Sequence, residues 1–110
     1  AYICASGGKD GIIDIWALNG KFLNEFDCGS SINALAFNPE RYWLVAGTDA
    51  GIKVWDLQSK TILTQFQALE NVDDLKQPSC LSLAWANDNN TLFAGYSDST
   101  IRVYGVEEDQ

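Results

Sequence analysis

The chain has 110 residues, 46% hydrophobic and 20% charged, with a formal net charge of −8, a composition that excludes a disordered segment. Seven Lys and Arg against fifteen Asp and Glu exclude a phosphate-gripping surface on this segment, because nucleic-acid binding calls for clustered basic residues. There is no histidine, no CxxC pair and no long apolar run, so a histidine-based triad, a zinc centre and a membrane-crossing helix of about eighteen or more residues have no material here.

In chain order, CASGGKDG (4 to 11) reads as a strand entering a tight turn, and DGIIDIW (10 to 16) as that turn and the strand leaving it. ALNGKFLNEF then supplies a turn and a further strand ending in Phe26. INALAF (32 to 37), the Asn38-Pro39 turn, YWLVAG (42 to 47) and DAGIKVW (49 to 55) predict the next three strands, and DLQSKTILTQF a fourth ending in Phe66. An insertion at about Ala68 to Ser79 precedes LSLAW (81 to 85), a turn over Asn87 to Asn90, LFAGY (92 to 96) and DSTIRVY (98 to 104).

Three of these segments are copies of one another. Asp10 is followed six residues on by Trp16, Asp49 by Trp55, and Asp98 by Tyr104; the copies start 39 and then 49 residues apart. With the insertion removed both periods fall near forty, and β-branched strands with polar turns at that period point to β-propeller blades, not to a helical solenoid. Ile13 and Ile15, Ile52 and Val54, Ile101 and Val103 share one face of their strands, while Trp16, Trp55 and Tyr104 occupy the other. Apolar bulk on both faces fits a sheet covered on both sides by its neighbours. The turn carboxylates of Asp10, Asp49 and Asp98 are expected to accept backbone N–H bonds and hold their turns, a structural and not a catalytic role.

The unit resembles the WD repeat, whose namesake dipeptide stands complete at Trp55-Asp56. Members of that family often link a His, a strand Ser or Thr, the turn Asp and the Trp by hydrogen bonds. Ser6, Asp10 and Trp16 keep three of those four members, whereas Val45 and Ala94 are read as standing where the strand Ser would be. Within the WD-repeat proteins, CASGGKDG, INALAFNPERYWLVA (32 to 46), IKVWDL (52 to 57) and SLAWANDNNTLFAGYSDSTIRVY (82 to 104) resemble the last blades of the receptors for activated protein kinase C, Gβ-like and ribosome-associated.

The expected fold is all-β, a fragment of a seven-bladed WD-repeat propeller comprising about two and a half blades of four-stranded antiparallel sheet. Residues 1–27 make a partial blade of three strands, 28–67 a complete blade, and 68–110 the insertion loop, a last blade of three strands and an acidic tail. Closed propellers need four or more blades, so two inter-blade faces stand open, and such a fragment is expected to self-associate or to pack on further blades.

The resemblance implies a non-catalytic scaffold that docks protein kinase C and other signalling proteins and associates with the small ribosomal subunit, in the cytoplasm. In the family the basic surface toward ribosomal RNA lies chiefly on early blades, so the acidic segment here would make no direct nucleic-acid contact. A β-propeller subunit of another assembly, such as a G-protein β-type subunit, is the alternative, and a propeller enzyme a distant third. GIKVWDL (51 to 57), with Lys53, resembles a segment proposed in the family to bind protein kinase C. Tyr42, flanked by Glu40 and Arg41, stands where the family has a tyrosine tied to Src-type signalling. Asp73 and Asp74, with Glu70, and Glu107, Glu108 and Asp109 of the tail, are solvated acidic stretches or docking surfaces for a basic partner. No cofactor is expected, and Cys4, Cys28 and Cys80 read as free thiols of a cytosolic protein.

Overall fold

The computed structural model describes residues 3–107, and within them the chain forms ten strands and one 3₁₀ turn. β1 (Ile3–Gly7), β2 (Ile12–Ala17) and β3 (Phe22–Asp27) form the first antiparallel sheet. β4 (Ile32–Phe37), β5 (Trp43–Thr48), β6 (Gly51–Asp56) and β7 (Thr61–Phe66) form the second, and β8 (Cys80–Trp85), β9 (Thr91–Tyr96) and β10 (Ile101–Gly105) the third. The 3₁₀ turn, Asp74–Lys76, lies in the insertion. Glu108 and Asp109 of the expected acidic tail lie outside the described residues.

The three sheets superimpose strand for strand through their registers. Leu44 pairs with Trp55 in the second sheet, Leu92 with Tyr104 in the third and Cys4 with Trp16 in the first. The same bulges recur: Ile32/Ala34 in β4 matches Cys80/Ser82 in β8, and Ile15/Trp16 in β2 matches Val54/Trp55 in β6. A bulge adds local twist, and in β6 it falls just before Trp55, whose ring lies on Phe26 of the neighbouring sheet. By this correspondence the first sheet has no counterpart of β4, and the third none of β7, among the described residues.

Strand alternation sends the second sheet's apolar residues into two seams. Ile32, Leu44, Ala46, Trp55 and Leu57 pack on Ile13, Ile15 and Phe26 of the first sheet. Trp43, Val45, Ile52 and Val54 pack on Cys80, Leu92, Ala94 and Tyr96 of the third. Each fully buried Leu, Ile or Val contributes about 1.5 to 3 kcal/mol. An identical aromatic contact closes each seam. Trp55 stacks on Phe26 with centroids 4.7 Å apart, and Tyr104 on Phe66 at 4.4 Å, so the aromatic of one sheet's third strand covers the Phe ending the previous sheet's fourth.

The open face expected at the end of the fragment is seen on the third sheet. Ile101 and Val103 have the same place in β10 as Ile52 and Val54 in β6, yet are 73% and 57% exposed. The pattern in the strand is the same; no described element packs on that face. Gly47 shows the tightness inside, since a Cβ there would come within 2.7 Å of the Cys80 sulfur, and the seam closes only without it.

Candidate functional site

The residues singled out from sequence fall at opposite ends of the strands. The β4–β5 turn, with Arg41 and Tyr42, lies at the end where β6 finishes, whereas Asp49, the insertion and the start of β8 lie at the other. A six-residue strand separates them, roughly 20 Å. No single constellation holds Tyr42 together with Asp73 and Asp74.

At the first end a polar clamp joins the second and third sheets. Asn38 Nδ2 donates to the Asn89 carbonyl at 2.9 Å, and Arg41 Nη1 donates to the same carbonyl at 3.3 Å and to Asn90 Oδ1 at 2.8 Å. Asn89 Nδ2 returns a bond to Glu40 Oε2 at 2.7 Å, and the Arg41 guanidinium lies over the Trp43 ring. Asn38, only 6% exposed, also accepts the Glu40 and Arg41 N–H groups through Oδ1. Arg41 is therefore committed to holding two sheets together. Tyr42 is 51% exposed and borders a small groove of about 240 Å³ with Leu23, Phe26, Leu57 and Lys60. From sequence the clamp's asparagines read only as turn residues, at Asn38-Pro39 and over Asn87 to Asn90, because their partners are 48 to 51 residues away.

At the other end the turn residues do not all behave alike. Asp10 Oδ1 accepts the Ile12 N–H at 3.0 Å, and Asp98 Oδ1 the Thr100 N–H at 3.2 Å. Asp49 instead accepts a bond from Asn33 Nδ2, which also reaches the Cys80 carbonyl. The turn after β5 is held by Thr48, whose hydroxyl donates to the Gly51 carbonyl and accepts from the Ala50 N–H. The reason is length: Gly47 pairs with Ile52 and Gly7 with Ile13, so the second turn is one residue shorter than the first. Asp56 fastens the β6–β7 hairpin, accepting the Gln58 N–H at 2.9 Å. Lys53 is likewise engaged, its Nζ donating to the Cys28 carbonyl at 2.6 Å across the first seam.

The register also revises the hydrogen-bonding trio. Ser6 stands opposite Asp14, Ala94 opposite Arg102 and Ala46 opposite Lys53, so Ala46 and not Val45 occupies the strand-serine position in β5. Trp55 is diagonal to Ala46 and shares its seam, and its buried Nε1 makes no regular hydrogen bond, its one polar neighbour being the weakly accepting Cys28 thiol. An unmet buried donor costs about 1 to 3 kcal/mol. Ala46→Ser, which adds an oxygen on the same seam and diagonal to that indole, is expected to raise stability by about 1 kcal/mol, read as a higher urea midpoint. In the third sheet the tyrosine that replaces tryptophan meets its need differently, through a 2.8 Å bond between the Tyr96 and Tyr104 hydroxyls. Burial and that bond push the Tyr96 hydroxyl well above the usual phenol range.

Burial pushes the Cys80 thiol up to about 11 and raises Cys28 too, the latter against the opposing pull of the Trp55 indole and the Lys53 ammonium. Both are inert packing thiols at neutral pH. Two exposed carboxyls move the other way. The Thr100 hydroxyl and then the Arg102 guanidinium, 3.2 Å away, hold Asp98 below the usual carboxylate range; the Asn90 N–H, then the Thr91 hydroxyl and N–H, do so for Asp88. A carboxyl depressed in the folded state adds stability above its unfolded pKa, and that stability is lost as pH falls through the folded value. Thr100→Val is expected to lower the urea midpoint at neutral pH and to flatten its fall between about pH 5 and pH 2, so that variant and parent converge in acid.

A groove of about 690 Å³ lies beside the insertion, bordered by Thr48, Lys53, Phe66, Glu70, Asp74 and Tyr104. Asp74 faces it and Asp73 does not border it. The insertion itself is organised by Gln77, which sequence reading passed over because nothing local marks an amide whose partners lie five and eight residues back.

What these surfaces offer chemically is contact: fixed loops and clamps on a stack of sheets. Known proteins agree with that geometry. The profile of the family described as "WD domain, G-beta repeat" matches residues 20–56 and 72–105, the first match straddling a seam, from just before β3 to the end of β6. The chain is 48% identical over 107 residues to "Cross-pathway control WD-repeat protein 2" of Flammulina velutipes, covering 94% of the chain and 34% of that protein. It is 48% identical over 105 residues to "Small ribosomal subunit protein RACK1z" of Oryza sativa subsp. japonica, covering 94% and 31%. It is 46% identical over 116 residues to "Small ribosomal subunit protein RACK1" of Medicago sativa, covering 94% and 36%. The chain thus spans about a third of the length of these relatives. With the repeated strands, the shared bulges and the matching profile all in agreement, this chain belongs to the WD-repeat family, and its relatives include RACK1 proteins.

Proposed function

We propose that this chain serves as part of a non-catalytic scaffold that associates with the small ribosomal subunit in the cytoplasm and presents loops to signalling proteins, protein kinase C among them. The observation that carries this reading is the 48% identity, over nearly the whole chain, to a protein named for the small ribosomal subunit. With a net charge of −8, the chain leaves ribosomal RNA to be gripped by surfaces other than its own. The open faces, Trp16 with Phe22 on the first sheet and Phe93, Ile101 and Val103 on the third, are covered in this reading by further sheets of the same kind. Trp16 would then stack as Trp55 does on Phe26. A fragment lacking those sheets would associate with itself through the same faces.

Kinase docking through the side chains of GIKVWDL has little support, since Ile52, Val54 and Trp55 are buried. Exposed turns are the better candidates, Tyr42 first. A phosphate there would add nearly two negative charges next to Lys60. Tyr42→Phe is expected to leave stability within about 0.5 kcal/mol of the parent while abolishing any binding that follows tyrosine phosphorylation, checked by thermal melting beside a phosphorylation-dependent pull-down.

Sedimentation of a cell extract through a sucrose gradient tests the main reading. The tagged native protein should travel with the small subunit and be released as salt rises. Sedimentation as a free protein at low salt would refute it. A second reading, a subunit of a different assembly such as a G-protein β-type complex, is favoured by the profile's description as a G-beta repeat and would give that free-protein result.

A further inference from the structure

We propose that the insertion is a docking knob: Leu75 is its apolar anchor, and the partner is a protein surface with an apolar cleft rimmed by Lys or Arg. This rests on the scaffold reading above and names a surface and a partner chemistry for it.

A single exposed leucine on a protein surface calls for no explanation. What sets Leu75 apart is the apparatus beneath it. The residue is 100% exposed at the middle of the 3₁₀ turn Asp74–Lys76. Under the turn lies Gln77, only 7% exposed, with its carboxamide fully spent on the loop. Its Nε2 donates to the Leu69 carbonyl at 2.6 Å and to the Val72 carbonyl at 3.0 Å, and its Oε1 accepts the Leu69 N–H at 3.0 Å. Gln67 Nε2 ties Asp74 Oδ1 from the end of β7 at 2.8 Å, the Lys76 N–H returns to the Asp73 carbonyl at 2.9 Å, and Ala68 packs on the second seam. The Gln67 and Gln77 amides are thus spent on keeping the turn in place, and an apolar side chain stands on top of it. Holding an anchor in one geometry before contact lowers the ordering cost of binding.

The surroundings of Leu75 select the partner. Asp73 and Asp74 precede it, Glu70 stands in the same loop, and Lys76 is the single basic residue among them. An apolar anchor in an acidic loop matches an apolar cleft bordered by ammonium or guanidinium groups, which steer the encounter and then exclude water around the anchor. The same carboxylates repel phosphate-bearing surfaces, so RNA and anionic membranes are poor occupants. The insertion of a second copy, bearing the same carboxylates, is equally disfavoured as its occupant.

The test selects a phage-displayed library of a small folded domain, randomised over a concave surface, on the immobilised full-length protein and measures the purified winners by fluorescence anisotropy. Enriched domains should line their cleft with Leu, Ile, Phe or Met, rim it with Lys or Arg, and bind more weakly as salt rises. Leu75→Ser should weaken them about tenfold or more, and Asp73→Lys with Asp74→Lys should do the same. Gln77→Ala should weaken them less, because the anchor remains but its support is loosened. Sedimentation with the small subunit should be unchanged in Leu75→Ser, so the failure of the knob and the failure of the ribosomal reading give different results. Winners without basic residues, binding indifferent to Leu75→Ser, or Leu75-dependent association with phosphatidylserine vesicles or with a second copy would each overturn the proposal.

Discussion

Replacing Trp55 with alanine is expected to cost about 3 to 5 kcal/mol, a large part of the stability of a chain this size. The ring is 7% exposed, stacks on Phe26 and packs in one cluster with Leu44, Leu57 and Ile13. Its removal empties the centre of the first seam, and the bulged backbone that aims it leaves no neighbour able to fill the space. Because stacked sheets contact only their neighbours, the damage should be local in the first instance. Hydrogen exchange should show β1 to β3 losing protection while β8 to β10, joined through the second seam, keep theirs. Trp55→Phe, which retains the stack on Phe26 and removes the unmet indole N–H, should cost much less. Equal loss of protection in all three sheets would mean that they fold as one unit.

Gly51→Ala is the second large effect. Gly51 begins β6 with φ at 137°, where side chains are rarely accommodated, and an added Cβ would collide with the Phe66 carbonyl oxygen. The strain of such a backbone alone is about 1 to 3 kcal/mol, and the obstruction is backbone, not a side chain that could turn aside. Relief requires the end of β7 to move away from β6, and Phe66 carries the stack with Tyr104. The expected result is a loss of about 3 kcal/mol or more, seen as a melting temperature lower by roughly 10 to 20 °C, with weakening concentrated at the second seam. A substitution with no effect on melting would show that the turn has another conformation available.

Much of this architecture was legible in the chain. The strands through Trp16, Trp55 and Tyr104 announce themselves by β-branched alternation after a polar turn, and INALAF and its turn mark β4 and β5 to within a residue. Those are local signals. The site was less legible. Arg41 reads from sequence as a basic residue beside an exposed tyrosine, but its bonds go to Asn89 and Asn90 on the next sheet. Lys53 reads as part of a docking strand, but its ammonium is held by a carbonyl 25 residues away. Thr48 does the work expected of Asp49 because the turn is one residue shorter, a difference that only pairing across the hairpin makes visible.

By itself, then, the sequence determined the repeat, the strand count and grouping, the family and the absence of histidine or clustered basic chemistry, since these follow from alternation, turn residues and composition within short windows. Open end faces were also expected from the grouping of strands, and the tertiary structure decided which side chains they leave in solvent. Ile52 and Val54 are buried while Ile101 and Val103 stand in solvent, although their strands read alike. It also decided which polar side chains were spent on clamps and which were left to meet a partner. The physical reason is that burial and hydrogen bonding at a seam depend on what the neighbouring sheet brings from some 25 to 50 residues away, and no strand encodes its neighbour.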